Sequence, residues 1–337
     1  MSRPRIGVAA LGGTIAMTSE SGREVTPTLA ADDLIAAVPR LGEVAEVTAT
    51  TLATRPSASV TSADLASVVE WAETQVATGA SGIVVTQGTD SIEETAYWLD
   101  LHWDHPEPLV VTGAMRPPTT PGADGPANLL AAVLTASAQE ARDRGVLVVM
   151  GDTVHTAVEV LKGRSSHPDA FVSRPFGPLG FLEEERLHLR AARARRPALP
   201  MTKGGTPPSV AVLETHLDDT GDVLDLVVRA GYGGVVIAGF GVGHVPERMV
   251  DSVQRAVDAE VVVVLATRAG DGPTHEASYG YAGSEVDLLA RGVVPAGWLH
   301  PRKARVLLVE LLRLGAGPGE VREEFAQRGA VRPETSS

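Results

Sequence analysis

Gly82-Ile83-Val84-Val85-Thr86-Gln87-Gly88-Thr89-Asp90-Ser91-Ile92-Glu93-Glu94-Thr95 is the stretch whose reading decides the fold. Gly82–Thr86 is apolar without alternation, the pattern of a parallel strand covered on both faces. A short polar turn follows, and an amphipathic helix is predicted over about residues 92–103. The same punctuation occurs near the start, where the apolar run 6–11 breaks at Gly12-Gly13-Thr14. Leu109–Thr112 and Val146–Met150 are further continuous runs. A helix is predicted from about Thr61, which forms a capping box with Asp64, and Leu65, Val68, Ala72 and Val76 make its buried stripe. Another is predicted over 126–142. Strands alternating with helices imply a doubly wound parallel sheet.

The alternation pauses at about 187–208, a polar segment rich in Pro and Arg that includes Arg193, Arg195, Arg196, Pro197 and Pro200. It resumes with strands at 209–213, 234–238 and 261–267 and helices at 222–230, 246–259 and 301–314. The expected organisation is α/β, with two doubly wound parallel-sheet domains: a larger N-terminal one over 1–190, a linker over 191–208 and a smaller C-terminal one over 209–337. Residues 333–337 are expected to fray.

Composition narrows the function. The chain has 337 residues, 44% hydrophobic and 21% charged, with only 4% aromatic, so its core is built mostly of Val, Leu, Ile and Ala. A formal net charge of −13 argues against nucleic acid or an anionic membrane as a partner. The basic run from Arg190 to Arg196 reads as a solvated linker. The absence of cysteine excludes disulfides and thiolate chemistry. The first apolar segment stops too soon for a secretory signal and no run reaches membrane-spanning length, so a cytoplasmic protein is expected.

In open parallel sheets, ligands bind beyond the carboxyl ends of the strands, which is where Thr14, Thr89 and Asp90 fall. Two threonine hydroxyls and a carboxylate could attack a carbonyl and hold a charged amino acid, which points to an amidohydrolase with a threonine nucleophile. Each residue also has a plainer reading. Thr14 could cap a tight turn, and Asp90 could be a helix N-cap with Glu93 as its capping-box partner. Lys162, one of three lysines with Lys203 and Lys303, could activate a hydroxyl or be a surface residue. His155 and Glu159 have the spacing of a helical metal pair but lack a third ligand in register. No Gly-x-Ser-x-Gly elbow is present.

Six blocks, in order, resemble the bacterial-type L-asparaginase/glutaminase family. They are Leu11-Gly12-Gly13-Thr14-Ile15-Ala16, the stretch from Thr86 to Tyr97, Gly113-Ala114-Met115-Arg116-Pro117, the stretch from Ala123 to Leu129, the stretch from Val146 to Asp152, and the stretch from Pro301 to Leu308. The resemblance implies hydrolysis of a small amino-acid amide to the acid and ammonia by double displacement, without metal or cofactor. It implies Thr14 as nucleophile, Thr89 and Lys162 as a second hydroxyl–amine pair, Asp90 and Ser57 holding the substrate's ammonium and carboxylate, and Ala114 lining the pocket. It implies a homo-oligomer, a dimer or tetramer, with sites at subunit boundaries. An L-asparaginase with weak glutaminase activity is the expected function. The alternatives are an amino-acid sensor with impaired catalysis and the amidase subunit of a transfer-RNA amidotransferase.

The sequence departs from the family at several points. Gln87 stands where histidine is commoner, Ala58 where glutamine is common and His244 where asparagine is common. Residues 17–31, expected to form a lid that is mobile when the site is empty, contain no tyrosine, although the family carries one there. A neighbouring subunit is expected to supply the missing group, with His244, Glu276, Tyr279 and Glu285 as candidates and Tyr281 beside them.

Overall fold

The computed structural model describes residues 3–13, 15, 17–18, 26–27, 31–190, 195–202 and 204–331. Thr14, most of the expected lid, Lys203 and the terminal residues 332–337 lie outside the described residues. The chain divides into two units, Met1–Met201 and Thr202–Arg332, each with its own sheet.

The N-terminal sheet contains β1 (Arg5–Ala10), β2 (Glu46–Thr51), β3 (Gly82–Thr86), β4 (Leu109–Thr112), β5 (Val146–Met150), β6 (Thr153–Thr156), β7 (Gly180–Glu183) and β8 (Arg186–Leu189). Their spatial order is β8-β7-β6-β5-β4-β3-β1-β2. The first five are parallel, with β2 at one edge, while β6, β7 and β8 extend the other side antiparallel. β3, β4 and β5 are buried at every residue, as their unbroken apolar runs require. Covering helices include α1 (Ser62–Ala77), α2 (Ile92–His102) and α3 (Gly125–Ser137). The Thr61–Asp64 capping box closes α1 reciprocally, and Leu65, Val68, Val69 and Ala72 are its buried face.

Register sets the position of the candidate site. Ala10 of β1 lies beside Thr86 of β3. The ladder continues past the strand ends: Leu11 N–H donates to the Thr86 carbonyl at 2.9 Å and Gln87 N–H to the Thr112 carbonyl at 3.0 Å. The turns after β1 and β3 therefore leave the sheet together, in the crevice where open parallel sheets bind ligands.

Two expectations change. The polar stretch from 187 begins inside the sheet, because β8 forms an antiparallel hairpin with β7. Arg190 and Arg195 are not merely solvated: Arg190 donates to the carbonyls of Gly177 and Pro178, and Arg195 to those of Trp103 and His105. Helix α3 ends at Ser137 rather than 142, and a single 3₁₀ turn, Gln139–Ala141, follows it.

The C-terminal sheet is wholly parallel, in the order β9 (Val210–Glu214), β10 (Gly234–Gly239), β11 (Val262–Thr267) and β12 (Val294–Pro295). Its core joins Val235, Ile237, Val263 and Leu265 of the sheet to Leu224, Val253 and Leu288 of the helices. Helix α4 (Glu285–Ala290) begins at Ser284, whose side chain caps Asp287 N–H.

Removing the Thr61 hydroxyl deletes one half of the capping box. Thr61→Ala is expected to lower unfolding stability by about 1 kcal/mol in a urea titration; an unchanged midpoint would show that the box contributes nothing to the fold.

Candidate active site

Three turns of the N-terminal unit converge. A Cβ placed on Gly13 would fall 1.9 Å from the nitrogen of Gly88, so the residue preceding Thr14 rests directly on the turn after β3. Gly13 has φ of +85°, which a side chain would strain even without the clash. A Cβ on Gly88 would fall 2.8 Å from Ser57 Oγ, which brings in the third turn. A Cβ on Gly113 would fall 2.5 Å from the Gln87 carbonyl oxygen and 3.3 Å from Thr89 Cγ2. That places the fully buried Ala114 next to the same cluster. Asp124 holds the Ala114 loop by accepting the amides of Met115 at 2.9 Å and Arg116 at 2.8 Å.

The charged centre is Lys162, whose side chain is 12% exposed. Its Nζ donates to Thr89 Oγ1 at 2.9 Å and to Asp90 Oδ1 at 2.6 Å. Its backbone N–H donates to Glu93 Oε2 at 2.6 Å, which ties the short strand Leu161–Lys162 to the first turn of α2. Thr89 is buried, while the Asp90 side chain is 70% exposed. Asp90 therefore presents a carboxylate outward beside a buried hydroxyl and a partly buried ammonium. Ser57 Oγ accepts the Asp90 amide at 3.2 Å.

These contacts decide between the readings left open by the sequence. Ser91 occupies the N-cap position of α2 with no side-chain cap, so Asp90 is not the cap and Glu93 is not its capping-box partner. Lys162 is not a surface lysine, because two acceptors hold its ammonium against the turn. His155 lies on β6 rather than on a helix and pairs through Nδ1 with Ser173 Oγ at 2.8 Å, so its spacing to Glu159 has no helical meaning. Among the described residues no group of three or more metal-capable side chains is gathered. Glu93 and Ser91 are contacts that the sequence reading missed; Glu93 was visible only as a capping signal.

A second cluster lies within the C-terminal unit. His244 Nε2 sits 3.0 Å from Glu285 Oε2, and the Tyr281 hydroxyl 2.8 Å from His244 Nδ1. The His244 ring also meets Tyr279 edge-on at 5.0 Å. Glu285 is fully buried, and its other oxygen accepts the amides of Ser278 at 2.7 Å and Tyr279 at 2.8 Å. Burial pushes this carboxyl up, but the amides of Tyr279, Ser278 and Glu285 itself, with His244, outweigh it and hold the group below its ordinary value. An ionised Glu285 takes the Nε2–H of His244 and so orients the ring, which turns Nδ1 toward the Tyr281 hydroxyl. Glu276 is exposed and makes none of these hydrogen bonds.

The comparisons with known proteins identify the family. Residues 5–195 match the model described as Asparaginase, N-terminal, and residues 209–325 match the Glutaminase/Asparaginase C-terminal domain. The chain belongs to the asparaginase family. It is 33% identical to L-asparaginase 2 of Escherichia coli over 97% of this chain and 94% of that one. It is 36% identical to a probable L-asparaginase of Deinococcus radiodurans, over 97% and 98% of the two chains. The crystal structure of a probable cytoplasmic L-asparaginase from Campylobacter jejuni superposes with a TM-score of 0.86 at 30% identity, covering 96% of this chain and 99% of that one. Family membership makes the chain an amidohydrolase of the asparaginase type. No helix among the described residues is long and apolar enough to cross a membrane.

Because the folded-state value of Glu285 lies below the ordinary 4.5, its stabilising effect is complete above that value and is lost as the pH falls through the folded one. Glu285→Gln is therefore expected to lower the denaturation midpoint at pH 7, with the gap from wild type narrowing on acidification below 4.5. A gap of constant size across that range would show that ionisation of Glu285 does not contribute.

Proposed function

We propose that this chain is an L-asparaginase that cleaves the side-chain amide of L-asparagine by double displacement. The observation that carries the reading is the partly buried Lys162 ammonium held against the buried Thr89 hydroxyl, with Asp90 exposed beside it, all set against the turn that leads into Thr14. In the proposed first step Thr14 Oγ bonds to the amide carbon, and the amide nitrogen leaves as ammonia carrying the threonine proton. In the second, water bonds to the same carbon, the ester to Thr14 breaks, and aspartate is released as Thr14 regains its proton. Thr89 and Lys162 assist the water and the proton transfers. Asp90 takes the substrate ammonium and Ser57 its α-carboxylate. A main-chain amide near Thr89 stabilises the developing oxyanion, and Ala114 lines the pocket.

A threonine hydroxyl needs a base, and residues 17–31 contain no tyrosine. A neighbouring copy is proposed to supply it from the His244, Tyr279, Tyr281 and Glu285 cluster, with Glu276 the weaker candidate because it stands apart from those hydrogen bonds. Of these, Tyr281 carries a phenol whose proton has a ready acceptor in His244. The working form is then a homo-oligomer, a dimer or tetramer, and a cytoplasmic location is proposed for it. Weak glutaminase activity is part of the reading, since one methylene changes pocket fit by only about 1–3 kcal/mol.

Ammonia release from L-asparagine and L-glutamine tests the reading. Wild type is expected to turn over asparagine faster than glutamine, Thr14→Ala neither, and Lys162→Met is expected to lose about 100-fold or more in kcat. Saturable binding of asparagine without ammonia release would overturn it in favour of an amino-acid sensor. Tyr281→Phe is expected to slow turnover at least tenfold; full activity would remove Tyr281 from the mechanism.

A further inference from the structure

An α-amino acid carries its ammonium and its carboxylate on one carbon. A pocket that reads both must hold an acceptor and a donor at one fixed separation. On the asparaginase reading, on which this inference rests, those groups are Asp90 and Ser57. They belong to different segments, 33 residues apart, and each sits on a single 3₁₀ turn, Thr89–Ser91 and Ser57–Ser59. Short turns of this kind are weakly held by their own backbone bonds.

What joins them is a directed chain of hydrogen bonds. The Ser91 hydroxyl donates its one proton to the Ser57 carbonyl oxygen at 2.8 Å. Its oxygen then accepts from Gln87 Nε2 at 3.3 Å. The second Nε2 proton goes to the Gly88 carbonyl oxygen at 3.3 Å. That contact settles the amide orientation, because a flipped Gln87 would press Oε1 against the carbonyl oxygen. The Asp90 amide donates to Ser57 Oγ at 3.2 Å, which leaves the Ser57 hydroxyl proton free for a ligand carboxylate. Gln87 is fully buried, and its Oε1 has no hydrogen-bond partner among the described residues. A buried acceptor without a partner is costly, so the side chain is held there by what its Nε2 donates.

We propose that Gln87 and Ser91 are positioning residues that set the spacing between Ser57 and Asp90, and so restrict the site to amides bearing both an α-ammonium and an α-carboxylate. Neither residue touches the reacting carbonyl. Their effect falls on recognition of the charged end of the substrate.

The test uses Gln87→Met, a near-isostere without the amide donors, and Ser91→Ala, with Ser91→Thr as the variant that keeps the hydroxyl. Each is assayed on L-asparagine, on 3-aminopropanamide, which lacks the carboxylate, and on succinamic acid, which lacks the ammonium. L-Aspartate binding is measured by calorimetry as an independent readout. Gln87→Met and Ser91→Ala are expected to raise KM for L-asparagine and Kd for L-aspartate about tenfold, with kcat changed less than about threefold. On 3-aminopropanamide their kcat/KM matches wild type, so preference for asparagine over it falls about tenfold. Ser91→Thr behaves as wild type. Variants with unchanged KM, or with equal losses on all three amides, overturn the proposal, the second outcome marking a merely structural role. A wild type that neither binds L-aspartate nor hydrolyses L-asparagine overturns the functional reading beneath it; a wild type that does both, with variants that match it, overturns the proposal alone.

Discussion

The approach of Gly13 to Gly88 is the constraint on which the candidate site depends. Two polypeptide turns meet so closely that a single methyl group on Gly13 would overlap the Gly88 nitrogen. The contact is possible because β1 and β3 are adjacent and parallel, and their register carries both chains past the sheet at one level. Adjacent parallel strands need a long crossover, here through β2 and α1, and that crossover also delivers Ser57 to the same place. The site is thus a product of topology before it is a product of side-chain chemistry.

Electrostatics acts within that frame. The chain carries a net charge of −13 and only three lysines, one of which is drawn to 12% exposure between Thr89 and Asp90. An ammonium so placed is satisfied by the Asp90 carboxylate and the Thr89 hydroxyl, and the backbone of the same residue is anchored by Glu93. The exposed oxygen face of Asp90 remains available to a cationic ligand. The C-terminal unit follows the same logic in its own cluster, where the buried Glu285 carboxylate is compensated by three amides and an imidazole.

The central strands were legible because each is a short unbroken apolar run: β3, β4 and β5 fall on the residues expected. β2 carries no such signal, because Glu46-Val47-Thr48-Ala49-Thr50-Thr51 is a half-exposed edge with weak apolar content. The β7–β8 hairpin was hidden for the same reason, its polar outer residues resembling the start of a linker. Asp90 illustrates a local signal overruled by a distant partner. Aspartate three residues before glutamate at a helix start reads as a capping box, yet a lysine 72 residues away takes that carboxylate. His155 and Glu159 failed differently, because i,i+4 spacing has meaning only on a helix and Thr153, Val154 and Thr156 favour a strand. The convergence of Ser57, Thr89, Asp90 and Lys162 was available through family resemblance alone. No spacing along the chain encodes a contact between residues 57, 89 and 162.

A crystal structure with L-aspartate bound would show directly where the three turns meet and what they hold. The α-carboxylate is expected within hydrogen-bond distance of Ser57 Oγ, the α-ammonium on Asp90, and the side-chain carboxylate between Thr14 and the Lys162–Thr89 pair. Aspartate bound away from the junction of the Gly13 and Gly88 turns, or seated there with its ammonium turned from Asp90, would contradict this arrangement.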